Sequence, residues 1–236
     1  MSSRLLSCLF TATALLTVGC DDSTGLDDDE AANVRLVNAS SIVGELDVAV
    51  NGNTQADASN VQFLNAGQQC ARVDASSPQY TIQQGTGVTA IPATTFTFTE
   101  GGRNTVIVAG TAAGNLRVLT LDDPVTSPVQ PGRARIRVVN GFATQSIDAF
   151  ITPWSQTQGD ATTLTATNTA TAATGWVDVA AGAPVAIRLE NVGSNTARDI
   201  LNVFPTSGQE LTFVAVEPAT TGGPIQWVSA NACARP

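Results

Sequence analysis

The acid–base chemistry open to this chain rests on carboxylates. Histidine and lysine are both absent, and all 11 basic residues are arginines. That composition excludes Ser-His-Asp and Cys-His nucleophiles, histidine-held zinc or iron, Schiff-base lysines and Walker-type phosphate loops. Fourteen acids lie beyond residue 30. Two of them flanking a sugar would suffice to hydrolyse a glycosidic bond, so a carboxylate-dependent hydrolase is the remote alternative. Asp47 and Asp148, Asp74 and Asp178, and Asp57 and Asp160 nevertheless recur at matching places in two stretches of sequence. A residue present in both copies of a repeat is more simply part of the fold than half of one catalytic pair. Arg35 with Asp47, and Arg137 with Asp148, therefore read as cross-strand ion pairs, worth at most about 1 kcal/mol each when exposed. The expectation is a protein that is not an enzyme, with no cofactor and no metal site.

Of the four cysteines, Cys8 and Cys20 fall in the first twenty residues, leaving Cys70 and Cys233 as an even pair. In an oxidising compartment these two would form a disulfide closing a long loop, contributing about 4 kcal/mol on a chain-entropy argument. Two buried free thiols are the alternative. Trp176 and Trp227 sit in strand-like patterns and read as core or half-core. Trp154 follows Pro153 and opens a polar run, Ser155 to Thr174, with eight threonines and no other aromatic. A tryptophan there either packs back over a sheet edge or meets a ligand, such as a sugar face.

The elements that must position these side chains have a period of two. Thr94-Thr95-Phe96-Thr97-Phe98-Thr99 alternates polar and apolar residues, as a half-buried strand does. Leu116 to Leu121 and Pro184 to Glu190 read the same way. Asn104 to Ala109 and Leu211 to Val216 are nearly continuous apolar runs, the pattern of strands covered on both faces. No stretch shows amphipathic helix periodicity. Seven or eight short strands recur per hundred residues, as in an antiparallel sandwich.

The body is a duplication. Val34-Arg35-Leu36-Val37-Asn38 returns as Ile136-Arg137-Val138-Val139-Asn140, and Leu46 to Val50 as Ile147 to Ile151. Val73-Asp74 matches Val177-Asp178, and Gly102 to Ala109 matches Gly208 to Ala215, the offset drifting from 102 to 106. The organisation expected is a signal peptide over 1–19, an acidic tether over 20–31, a first sandwich over 32–122, a proline-rich linker over 123–132 and a second sandwich over 133–236. The leader has one arginine, Arg4, then an uncharged apolar stretch from Leu5 to Val18, too short to span a bilayer. It ends in Leu16-Thr17-Val18-Gly19-Cys20, which resembles a bacterial lipobox and implies acylation of Cys20. The following run, Asp21 to Glu30, holds six acids and suits a solvated stand-off from a membrane.

The two openings, Val34 to Ser40 with Leu46 to Gly52 and Ile136 to Gly141 with Ile147 to Ile151, resemble a bacterial envelope family catalogued as domain of unknown function forty-three ninety-seven. The resemblance implies immunoglobulin-like or transthyretin-like sandwiches, in tandem, exported and lipidated, with no catalytic residues to carry over. The expected partners are a membrane, through the N-terminal lipid, and an unidentified envelope protein or glycan. A carbohydrate-binding or adhesin-like module working through Trp154 is the second reading. Nucleic acid is not expected, because a chain of net charge −9 without lysine offers no basic face for it.

Overall fold

The computed structural model of the chain describes residues 30–50, 53–54, 59–67, 70–75, 80–84, 97–123, 128–143, 145–154, 173–194, 196–220 and 222–233. The leader, Cys20, the tether up to Asp29, Asp57, Asp160, the linker residues 124–127 and the threonine-rich residues 155–172 lie outside the described residues. Within them the chain is nearly all β. One 3-10 turn, Ala113–Asn115, is the only helical element among the described residues.

In the first half, β1 (Ala31–Ser40), β5 (Asn65–Ala66), β6 (Ala71–Asp74), β8 (Arg103–Gly110) and β9 (Arg117–Asp122) form one sheet. The facing sheet holds β2 (Glu45–Val50), β3 (Asn53–Thr54), β4 (Val61–Gln62) and β7 (Tyr80–Gln84). In the second half, β10 (Arg133–Asn140), β12 (Val177–Ala180), β15 (Glu210–Val216) and β16 (Gln226–Asn231) form the sheet equivalent to the first. Its facing sheet is β11 (Ile147–Pro153), β13 (Val185–Asn191) and β14 (Ala197–Val203). Thr97 to Thr99 is not a strand, although Phe98 is buried.

The sheets built on β1 and β10 are mixed, which corrects the wholly antiparallel expectation, while the two facing sheets are antiparallel throughout their described pairs. β1 runs parallel to β8, with Arg35 opposite Thr105, and β10 runs parallel to β15, with Arg137 opposite Thr212. Parallel neighbours need a long crossover. Here the chain makes it by building the facing sheet before it returns.

That pairing also corrects the repeat. Because Arg35 and Arg137 are equivalent, Thr105 is equivalent to Thr212, an offset of 107 rather than 106. One residue matters, because a slip of one turns every side chain to the opposite face. With the observed register Val106 and Phe213 both face their own half's core, while Ile107 and Val214 both face the other half. Likewise Val73, opposite Ala32, is equivalent to Val179, opposite Ala134, so Asp178 takes the place of Arg72 rather than that of Asp74.

Three hydrophobic clusters follow. The first lies between the two sheets of the first half (Leu36, Leu46, Val48, Tyr80, Val106, Val108), the second between those of the second half (Ile136, Ala149, Ile187, Leu189, Phe213). The third joins the halves, packing Val37, Ala39, Ile107 and Ala109 against Val139, Val214, Val216, Val228 and Ala230. β8 is therefore buried along all eight of its residues, which is why its sequence lacks alternation.

The repeated asparagine that ends Val-Asn in each half ties the first corner. Asn38 Nδ2 donates to the carbonyls of Val43, Gly44 and Val61, and its Oδ1 accepts from Ser40 N. Asn140 donates to the carbonyl of Gln145 and accepts from Phe142 N. A buried amide that meets its backbone partners avoids the 1–3 kcal/mol or so that an unmet group costs. Gly141, beside it, donates its N–H to Ala215 O, and a Cβ there would come within 2.6 Å of that oxygen.

Candidate functional site

The face between the halves changes character along its length. At strand starts the side chains that point into it are Arg103, Thr105, Arg135, Arg137, Glu210 and Thr212; two residues further on they become the valines, isoleucine and alanines of the third cluster. Arg103 Nη1 lies 2.5 Å from Glu210 Oε2 and donates to Cys233 O at 3.0 Å. Glu210 also meets Arg135 at 3.4 Å, and Arg135 Nε reaches Asp178 Oδ1 at 3.1 Å. Arg103 and Glu210 occupy equivalent places. Where two copies of one position meet, like charges would repel, and the duplicated chain carries opposite ones.

Deeper in this layer Arg137 Nη1 is 2.5 Å from Asp123 Oδ1. Asp123 Oδ2 accepts from Thr105, while Arg137 donates to Thr212 and Thr105 and lies under the Trp176 ring, 4.4 Å from its centroid. The two side chains are 0% and 4% exposed. Burial pushes the Asp123 carboxyl above its ordinary range, outweighing the pull of Arg137 and of the Thr105 hydroxyl. Burial likewise lowers Arg137, against the charge of Asp123. Asp123 thus belongs to the buried interface and not to a solvated linker.

Neither expected ion pair forms. β1 and β2 lie in different sheets, as do β10 and β11, so Arg35 and Asp47, and Arg137 and Asp148, are not cross-strand neighbours. Arg35 donates to Gly67 O, and burial lowers its guanidinium. Asp47 accepts from Asn60 N at 2.7 Å, Asp148 from Gly193 N at 3.4 Å, and Arg137 takes Asp123. The sequence pattern that could have revealed the layer is the pair of polar positions, two residues apart, at the starts of β8, β10 and β15.

Cys70 and Cys233 form a disulfide with Cα atoms 5.8 Å apart, across 163 residues. Cys70 immediately precedes β6 of the first half, and Cys233 follows β16 of the second. Trp227 is half-buried against the second core and donates to Asp199 at 2.7 Å.

Trp154 is 56% exposed. It extends a row that crosses the outer sheet of the second half. Pro153, Val185 and Val203 are register neighbours, and one step beyond, Trp154 N donates to Pro184 O, with Phe204 following Val203. Phe204 is 72% exposed. Beside Pro153, Pro184 and Val185 of this row lies a cavity of about 250 Å³, bordered also by Ile151, Val177 and Val179 and by the charged Arg133 and Asp178. In the first half Tyr80 (opposite Val50, as Ile187 is opposite Ile151) packs with its ring centroid 4.8 Å from that of Phe98 and donates to Asp74 O. Among the described residues no group of three or more His, Cys, Asp or Glu side chains is placed to hold a metal ion.

These features define an all-β protein of two similar halves, clamped by a buried charge layer and a disulfide, with a cavity in the second half next to a sheet rim that exposes Trp154 and Phe204. Residues 32–150 match the family described as Domain of unknown function (DUF4397), and the chain belongs to that family. The match spans the first half and continues through β10 to Phe150. No curated protein matches the chain.

Proposed function

We propose that this chain is a non-catalytic bacterial envelope lipoprotein, in which two tandem immunoglobulin-/transthyretin-like sandwiches, held outside the cell by an acylated Cys20, act as a binding or structural module. The observation that carries this reading is the use of the deepest ionisable groups. Asp123 and Arg137 are matched to each other in an enclosed pair between the halves, and Arg103 is matched to Glu210 where the two border an open hollow with Asn231 and Cys233. Glu190 is likewise matched by Arg188, at 2.7 Å. An acid–base pair needs room for substrate beside it, and a fully enclosed Asp123 has none. The interhalf disulfide suits an oxidising compartment.

The experiment is metabolic labelling with an alkyne fatty acid in a bacterial host. Label on the chain, its loss in Cys20→Ser, and transfer of that variant to the soluble envelope fraction are the expected results. Unlabelled wild-type chain released from membranes would overturn the reading.

A second reading, a carbohydrate-binding or adhesin-like module, is favoured by exposed Trp154 beside the cavity. A tryptophan face stacks on sugars with both apolar and polar contact. Glycan arrays probed with the native chain and with Trp154→Ala test it. Signal that vanishes in the variant supports it, and an array without signal leaves protein or lipid partners.

A further inference from the structure

The geometry points to a membrane-docking surface: the end of the second half that bears Trp154, Pro184 and Phe204 rests in the headgroup layer of the lipid surface to which the chain is tethered. This inference rests on the reading of Cys20 as the acylated residue.

Its first support is the direction of the chain. The strands β1, β8, β10 and β15 all start at one end of the molecule, because Arg103 at the start of β8 meets Glu210 at the start of β15, while Ile107 and Val214 meet further along. Glu30, where the chain enters the fold, is at that end, its carbonyl accepting from Ala75 N. The rim is at that end as well. Arg133, the first residue of β10, and Pro153, the last of β11, border the same cavity. Ten residues separate Cys20 from Glu30, a reach of at most about 36 Å when fully extended. The chain from an acylated Cys20 therefore enters the fold at this end, and a tether shorter than its full extension keeps this end nearer the headgroups than the opposite one.

The second support is chemical. Four large apolar side chains are strongly exposed among the described residues, and two of them, Trp154 and Phe204, flank Pro184 at this end. Aromatic rings favour the membrane–water interface. Tethering raises the local lipid concentration enough for two rings to matter where free protein would bind poorly. The same end of the first half carries Glu30, Asp74 and Glu100, which an anionic leaflet repels. The second half therefore makes the contact, and salt strengthens it by screening that repulsion.

The test is hydrogen exchange on the full acylated chain in vesicles of phosphatidylethanolamine with a minority of phosphatidylglycerol. The amides of Thr152, Trp154, Ala183, Val185, Val203 and Phe204 should exchange about tenfold more slowly on vesicles than in the released Cys20→Ser chain. The double variant Trp154→Ser, Phe204→Ser should lose that protection while the Val192 turn exchanges as in the wild type. Vesicle flotation precedes the exchange measurement. A chain that does not float overturns both the acylation and the docking. A chain that floats with the rim unprotected, or protected only when soluble glycan is added, overturns the docking alone.

Discussion

At one margin of the face between the halves, Trp176, Arg137 and Asp123 pack together. At the other margin the equivalent places, fixed by strand register, hold Cys70, Arg35 and Ala232, and the Cys70–Cys233 disulfide closes the gap. Arg35, lacking an acid at that place, settles on the carbonyl of Gly67. Two copies of one geometry have thus been sealed by unlike means. The first margin depends on charge, and therefore on pH and on every member being present. The second depends on a covalent bond, indifferent to both. A buried ion pair adds little when intact and costs much when broken, whereas a disulfide acts mainly by restricting the unfolded chain. The contrast separates what specifies the docking of the halves from what preserves it.

The largest expected effect comes from breaking the charged margin. Asp123→Ala leaves Arg137 buried without its acid and should cost about 3–5 kcal/mol in urea unfolding. Replacing both partners, as Asp123→Leu with Arg137→Leu, should recover much of that loss. Breaking the covalent margin with Cys70→Ser and Cys233→Ser should cost about 2–4 kcal/mol, and dithiothreitol on the wild type should reproduce it. A smaller loss, about 1–2 kcal/mol, is expected for Trp176→Leu, which removes the ring over Arg137 but keeps an apolar cover. Combined with the cysteine variant it should add within about 0.5 kcal/mol if the margins act independently.

The smallest effect is the pH dependence of the charged margin. Burial holds the folded carboxyl of Asp123 above the ordinary range of an aspartate, against the pull of Arg137. The unfolded chain therefore gives up this proton first as pH rises. The stability contributed by the group is complete below the unfolded value and is lost as pH climbs through the folded one. Urea midpoints in a series upward from acid should show wild type falling relative to Asp123→Asn across that window, then running level. A difference that grows in the opposite direction would refute the assignment.

Much of the fold was legible in the residues. The even pair Cys70 and Cys233 left free thiols as an alternative that only their separation in space decides, whereas the apolar runs that became β8 and β15 and the twofold recurrence of Val-Arg-Leu-Val-Asn and Ile-Arg-Val-Val-Asn follow from composition and spacing. The register of the repeat did not, and the reason is physical. A strand buried on both faces has no polar–apolar alternation to show which way a residue points. Val106-Ile107-Val108 aligned by type with Thr212-Phe213-Val214 while facing the other way. The ion pairs failed for a related reason. Arg35 and Asp47 are close in sequence and read as strand neighbours, but a parallel partner occupies that side of β1 and β2 lies in the facing sheet. Asp123 was hidden by its setting beside three prolines, since composition cannot show that the last residue before a linker is still enclosed.

The disulfide also orders events during biogenesis. Its second sulfur lies 163 residues after its first, beyond β16, so oxidation must wait until the strands of both halves have been delivered. Until then the apolar side chains Val37, Ala39, Ile107 and Ala109 have nothing to cover them, and a truncated product would present them to its surroundings. The cross-link therefore marks chains in which both halves are present, and one stalled before Cys233 keeps Cys70 as a free thiol, sticky and open to proteolysis.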